Sequence, residues 1–119
     1  MKYIITKGQL HRIAYQLLDD ELKNNGGFKE NEDYGNHRFS LEDMNGDRIM
    51  SAVHYSEENG RGETHAFIGW RLINKISKLF SIRPTKAVDI IGDWLSETLN
   101  LEIDEIDVDN THKPDNDDY

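Results

Sequence analysis

Two Asn-Gly steps, Asn45-Gly46 and Asn59-Gly60, constrain this chain more than any other feature. Asn-Gly between apolar-rich runs marks a two-residue hairpin turn, because both central residues of the favoured turn take positive φ. A turn at 45–46 places His37 opposite His54, Phe39 opposite Ala52, Leu41 opposite Met50 and Asp43 opposite Arg48. A turn at 59–60 places Ala52 opposite Phe67, Val53 opposite Ala66 and His54 opposite His65. One face of the resulting meander carries Phe39, Leu41, Met50, Ala52 and Phe67, which is the expected core face. The other carries Arg38, Ser40, Ser51 and Thr64, with Ile49, Val53 and Tyr55 interspersed.

Helical patterns flank the meander. Leu10, Ile13, Ala14, Leu17, Leu18 and Leu22 recur at helical spacing and predict a helix over 7–24. Thr6 and Gln9 have capping-box spacing at its start, and Ile5 and Leu10 sit where a hydrophobic staple forms. Asn24-Asn25-Gly26-Gly27 ends it, since glycine adopts the left-handed cap conformation at low cost. Residues 25–36 read as a polar loop. Beyond the meander, Leu72, Ile73, Ile76, Leu79 and Phe80 form one helical stripe, with Arg71, Lys75 and Lys78 opposite. Pro84 suits the first turn of a further helix, whose apolar residues are Ala87, Val88, Ile91, Trp94, Leu95 and Leu99. Gly92 inside that helix costs about 1 kcal/mol relative to alanine, a cost consistent with close packing there. Leu101–Val108 reads as a final strand with a change of phase between Ile103 and Ile106.

The order α-β-β-β-α-α-β defines an α+β fold. A three-stranded antiparallel meander, with a fourth strand from the C-terminal segment, packs against three helices. At 119 residues the chain is expected to form one domain over 1–108, followed by an acidic polar tail over 109–119.

Charge and composition exclude several classes. The net charge is −9, and cysteine is absent. Thiol nucleophiles, disulfides and thiolate metal sites are therefore excluded. An acidic chain disfavours binding to the nucleic-acid phosphate backbone. No apolar run approaches the roughly 20 residues of a membrane span, and the first residues lack a signal-peptide core. A cytoplasmic protein without membrane contact is expected. There is no phosphate-binding loop, dinucleotide fingerprint or nucleophile elbow. Asp43-Met44-Asn45-Gly46-Asp47 begins like a calcium loop, but its glycine falls at the fourth position instead of the sixth.

Two constellations remain. The turn arithmetic aligns His37, His54 and His65 across adjacent strands about 4.8 Å apart. Three histidines and a water form a known zinc arrangement, with Glu63 available as base or fourth ligand. The alternative is three strand histidines, each hydrogen-bonded locally. The second constellation is an interaction surface. Ile49, Val53 and Tyr55 form an apolar patch on the second sheet face, and Arg71, Lys75 and Lys78 form a basic helix stripe. The alternative for the stripe is an ordinary solvated helix face, neutralised within the same chain.

The opening Tyr3-Ile4-Ile5-Thr6 with Gln9-Leu10, and the closing Ile90-Ile91-Gly92-Asp93-Trp94-Leu95 with Leu99-Asn100-Leu101, resemble the two ends of small accessory proteins encoded by tailed bacteriophages. Lys7-Gly8 departs from the acidic-serine pair more usual there. The resemblance implies a phage or phage-derived accessory protein, acting in the host cytoplasm, and implies no reaction or functional residue.

The expected function is therefore a small non-enzymatic module that binds a protein partner or itself, without a cofactor. Three alternatives stand beside it. One is a zinc protein built on the histidine row. Another is an acidic nucleic-acid mimic using the runs at 102–109 and 115–118 against a host enzyme. The last is a minor virion component.

Overall fold

The computed structural model describes residues 7–33, 35–56 and 62–110. The second Asn-Gly step, the Thr6 cap, the Ile5 staple and the tail from residue 111 onward lie outside the described residues.

Helix α1 runs Lys7–Asn24, as its periodicity predicts. Ala14 and Leu18 are fully buried on its inner face. Gly26 and Gly27 both take positive φ, and the Gly27 amide donates to the Leu22 carbonyl at 2.8 Å, closing the helix. The segment expected as a loop then forms strand β1, Lys29–Asp33. Its sequence, Lys-Glu-Asn-Glu-Asp, has no apolar alternation because the strand lies at an exposed edge.

Strands β2 (Asn36–Glu42), β3 (Arg48–His54) and β4 (Thr64–Gly69) complete an antiparallel meander with β1. Helix α2 (Trp70–Phe80) and helix α3 (Pro84–Leu99) follow. They lead back to strand β5, Glu105–Asp109, which lies parallel to β4. The sheet order is β1-β2-β3-β4-β5. The α+β architecture is thus the expected one, with one strand more than the sequence reading supplies. The final strand is shorter than expected and extends to Asp109. Its lead is tied to β4 by an exchange in which the Asp104 amide donates to the Thr64 carbonyl at 2.9 Å and the Thr64 amide donates to Asp104 Oδ2 at 2.8 Å.

The first hairpin keeps the expected pairs His37–His54, Phe39–Ala52 and Leu41–Met50. Its turn differs. Residues 43–47 connect the strands, the Gly46 amide donates to the Asp43 carbonyl, and only Gly46 takes positive φ. Asp43 Oδ1 accepts the amides of Asn45 and Asp47, each at 2.9 Å. An aspartate gathering the amides of its own turn favours this wider loop over a two-residue one. The register therefore shifts after Leu41. Glu42, not Asp43, pairs with Arg48, and Ile49 becomes the extra residue of a bulge.

The second hairpin departs further. Ala52 pairs with Ala66, Val53 with His65 and His54 with Thr64, each one residue away from the two-residue-turn expectation. The β3–β4 connection holds an odd number of residues, and a one-residue slip turns every β4 side chain over. Ala66 and Ile68 enter the core, while Phe67 leaves it for the opposite face.

The core lies between the other sheet face and the helices. Leu41, Met50, Ala52, Ala66 and Ile68 meet Leu18, Leu72, Ile73, Ile76, Ala87, Ile91, Trp94 and Leu95. Burial of each large side chain here contributes about 1.5–3 kcal/mol. Phe39, expected at the core, is half-buried and stacks on His37. Leu79, expected on the inner stripe of α2, is 55% exposed. Gly92 does permit close packing: a Cβ there would lie 2.6 Å from Ile106 Cδ1.

Candidate interaction surface

With the helices on one face, the composition of the other face follows from strand pairing. One row across the sheet reads Asn31, Arg38, Val53, His65 and Glu105. The next reads Lys29, Ser40, Ser51, Phe67 and Asp107. Ser51, Val53, Tyr55 and Phe67 are absent from the core cluster that joins sheet to helices. They line a shallow groove together with Arg38 of β2, Arg48 at the start of β3, and Asp107 and Asp109 of β5. Ser51 and Val53 form its floor, at 2% and 4% exposure, because taller neighbours flank them. Arg38 and Asp107 are exposed, and neither makes an ion pair among the described residues.

Of the apolar patch read from the sequence, Val53 and Tyr55 lie here. Ile49 does not: as the bulged residue it is half-buried against the core and lines a separate cleft. Thr64, expected on this face, is buried on the other, at 1% exposure. Arg38 and Ser51 lie on this face as expected; Phe67 and Asp107 are the residues of it that sequence reasoning missed. An odd loop length between β3 and β4 was the signal that would have found Phe67.

The basic stripe of α2 is largely committed within the chain. Lys75 forms an ion pair with Glu21 of α1, and Arg71 approaches Asp47 of the first hairpin at 3.8 Å. Lys78 is exposed. Arg71 and Lys75 line the cleft that also receives Ile49, Trp70 and Gly69. At about 200 Å³ this cleft is smaller than the roughly 300–1,000 Å³ typical of small-molecule sites. Its cations face carboxylates of Glu21, Asp43, Asp47 and Asp109, which leaves little unbalanced field for an anion.

The expected histidine row does not form. His37 and His54 do pair, but Thr64 occupies the third place, and His65 lies on the opposite face because of the slipped register. Each histidine has its own local partner. His54 Nδ1 and the Thr64 hydroxyl are 2.7 Å apart, and His37 Nε2 lies 3.4 Å from Glu30. His65 Nε2 lies 3.2 Å from Glu63 and 3.5 Å from Glu105, with Tyr55 edge-on to its ring. Among the described residues, no group of three or more histidine, aspartate or glutamate side chains could hold a metal ion. Also among the described residues, no helix is long and apolar enough to cross a membrane. Of the acidic runs, 102–109 is carried by β5 and its lead, while 115–118 lies outside the described residues.

No protein-family model, curated protein or solved structure matches this chain.

Proposed function

We propose that the chain is a small binding module that acts by contact, not by catalysis, and that it docks a protein through the helix-free face of its sheet. One observation carries this reading. Phe67, Val53 and Tyr55 sit on a face outside the helical core layer, in a groove that Arg38, Arg48, Asp107 and Asp109 also line. An apolar strip with a charged rim is the ordinary anatomy of a protein interface. The assignment to accessory proteins of tailed bacteriophages, acting in the host cytoplasm, rests on the resemblance of the two chain ends.

A photo-crosslinking side chain introduced at Phe67, in protein incubated with host lysate and in purified protein, tests the docking face. A covalent adduct from Phe67, and none from the same group at Leu79 on the helical side, is expected. Equal labelling from both positions, or from neither, would overturn the assignment.

A further inference from the structure

We infer that the β5 border of the sheet accepts an extended segment of a partner protein, added as a further strand, in which cationic and aliphatic side chains alternate. The inference goes beyond the reading of the broad face as a docking surface and concerns the edge beside it.

Among the described residues the sheet ends at β5. A strand at a sheet edge turns the amide and carbonyl of every second residue outward, and a segment laid alongside can take up those bonds. The border is open to solvent: the Glu105 side chain is 57% exposed, Val108 is 43% exposed, and Asp107 is exposed.

The two sides of the strand differ in chemistry. In the pairing with β4, Glu105 lies beside His65 and Asp107 beside Phe67, on the helix-free side. Glu63 and Glu105 both approach the His65 ring, at 3.2 and 3.5 Å, so a protonated His65 balances only one of them. Asp107 has no ion pair among the described residues. Arg38 and Arg48 line the same groove, but they stand on β2 and β3, at least two strand spacings or about 10 Å from β5. This side of the border therefore keeps a negative charge.

Ile106 and Val108 occupy the alternate positions. Ile106 packs on the core, and Val108 stands at the rim of a pocket of about 340 Å³ between α2 and α3. Trp70 and Ile73 of α2, with Pro84 and Val88 of α3, form the rest of its apolar lining. Arg83 and Lys86, the cations nearest along the chain, do not line it.

An added strand repeats the alternation of the strand it joins. Side chains of one parity then meet Glu105 and Asp107 and call for lysine or arginine. Those of the other parity meet Val108 and the pocket and call for valine, leucine or isoleucine. Strands of this same chain do not serve. A second β5 would set carboxylate against carboxylate, which is costly across a strand pair. The β1 of another copy has no aliphatic side chain to offer the pocket. The charge that turns away the chain's own borders admits a strand of opposite sign.

The test uses capped, fluorophore-bearing peptides and the full chain at physiological salt. Lys-Val-Lys-Val-Lys should raise its fluorescence polarisation as protein is added. Lys-Lys-Lys-Val-Val, of the same composition, and Lys-Ser-Lys-Ser-Lys, of the same charge pattern, should each bind at least about tenfold more weakly. Saturation with the alternating peptide should slow amide exchange within residues 105–109 and leave β1 unchanged. E105K/D107K should weaken the alternating peptide at least about tenfold. If that protein does not fold by circular dichroism, Asp107→Lys, at an exposed site, gives the same comparison.

Equal binding of the two valine-containing peptides, or binding that leaves residues 105–109 unprotected, would show diffuse charge attraction and overturn the inference. Absence of binding overturns it as well. Peptide binding that is competed away by self-association at rising protein concentration would make a second copy the occupant, against the inference. The Phe67 crosslink reads the broad face separately, so either assignment can fail while the other stands.

Discussion

Trp94 of α3 donates its indole N–H to Asp19 of α1 at 2.9 Å, across the contact between the two helices. Trp94 is 2% exposed, so its one polar atom has little access to water once that carboxylate is gone. Asp19→Ala should cost about 1–2 kcal/mol, the range for a hydrogen bond whose buried donor is left unmade. Asp19→Asn keeps an acceptor and should cost less. Urea unfolding followed by tryptophan fluorescence measures both.

Two glycines should respond oppositely to the same change. A Cβ at Gly69 would lie 2.5 Å from the Ile49 carbonyl oxygen, a backbone atom pinned by the bulge. Gly69→Ala should destabilise by about 1–3 kcal/mol, as overpacking does. At Gly92 the obstructing atom is the end of the Ile106 side chain, which can rotate away. Alanine also gains about 1 kcal/mol of helix propensity there, so Gly92→Ala should be close to neutral. Chemical denaturation of the two variants side by side is the measurement.

Alkaline pH should find Tyr15. Its phenol is raised above the ordinary 10.0, first by burial and then by the carboxylates of Glu97 and Asp93. The native state thus holds this proton more tightly than the unfolded chain does. The contribution to stability is complete below pH 10.0, the unfolded value, and falls away as pH rises through the native one. An ultraviolet titration compared with that of Tyr15→Phe isolates the group. Glu97→Gln with Asp93→Asn should lower its pKa only in part, because burial is the larger cause.

Strand β5 should loosen when Asp104 is truncated. Its carboxylate accepts the amide of Thr64, a residue 1% exposed, and its own amide returns a bond to the Thr64 carbonyl. Asp104→Ala should cost about 1–2 kcal/mol. Hydrogen exchange should accelerate in residues 105–109 while β2 and β3 stay protected. Uniform acceleration throughout the sheet would show that β5 does not open by itself.

What the sequence made legible depended on whether each signal was local. The three helices and their stops were readable because the apolar repeat, Gly26-Gly27, Pro84 and Asn100 act within a few residues. The pairing of β2 with β3 was readable because Leu41 and Met50 share a face whatever the turn does beyond them. Strand β1 was hidden, since Lys29–Asp33 owes its strand state to the neighbour it pairs with and has no pattern of its own. The candidate site turned on loop parity. Nothing in Asn59-Gly60 counts the residues between Tyr55 and Glu63, whose backbones pair across the connection at 2.8 Å. That count decided whether His65 joined His54 or Val53, and whether Phe67 was core or surface.

Among the described residues, the sheet ends at β1 on one side and β5 on the other. Both border strands bristle with carboxylates: Glu30 and Glu32 on one, Glu105, Asp107 and Asp109 on the other. A border strand normally invites another to continue the sheet, and charge is how proteins refuse. Growth by the borders would be endless, a ribbon lengthening with each molecule added. Growth by the broad side stops at two. With carboxylates along both borders, Lys29 of β1 notwithstanding, an assembly made through the broad face is a finite one.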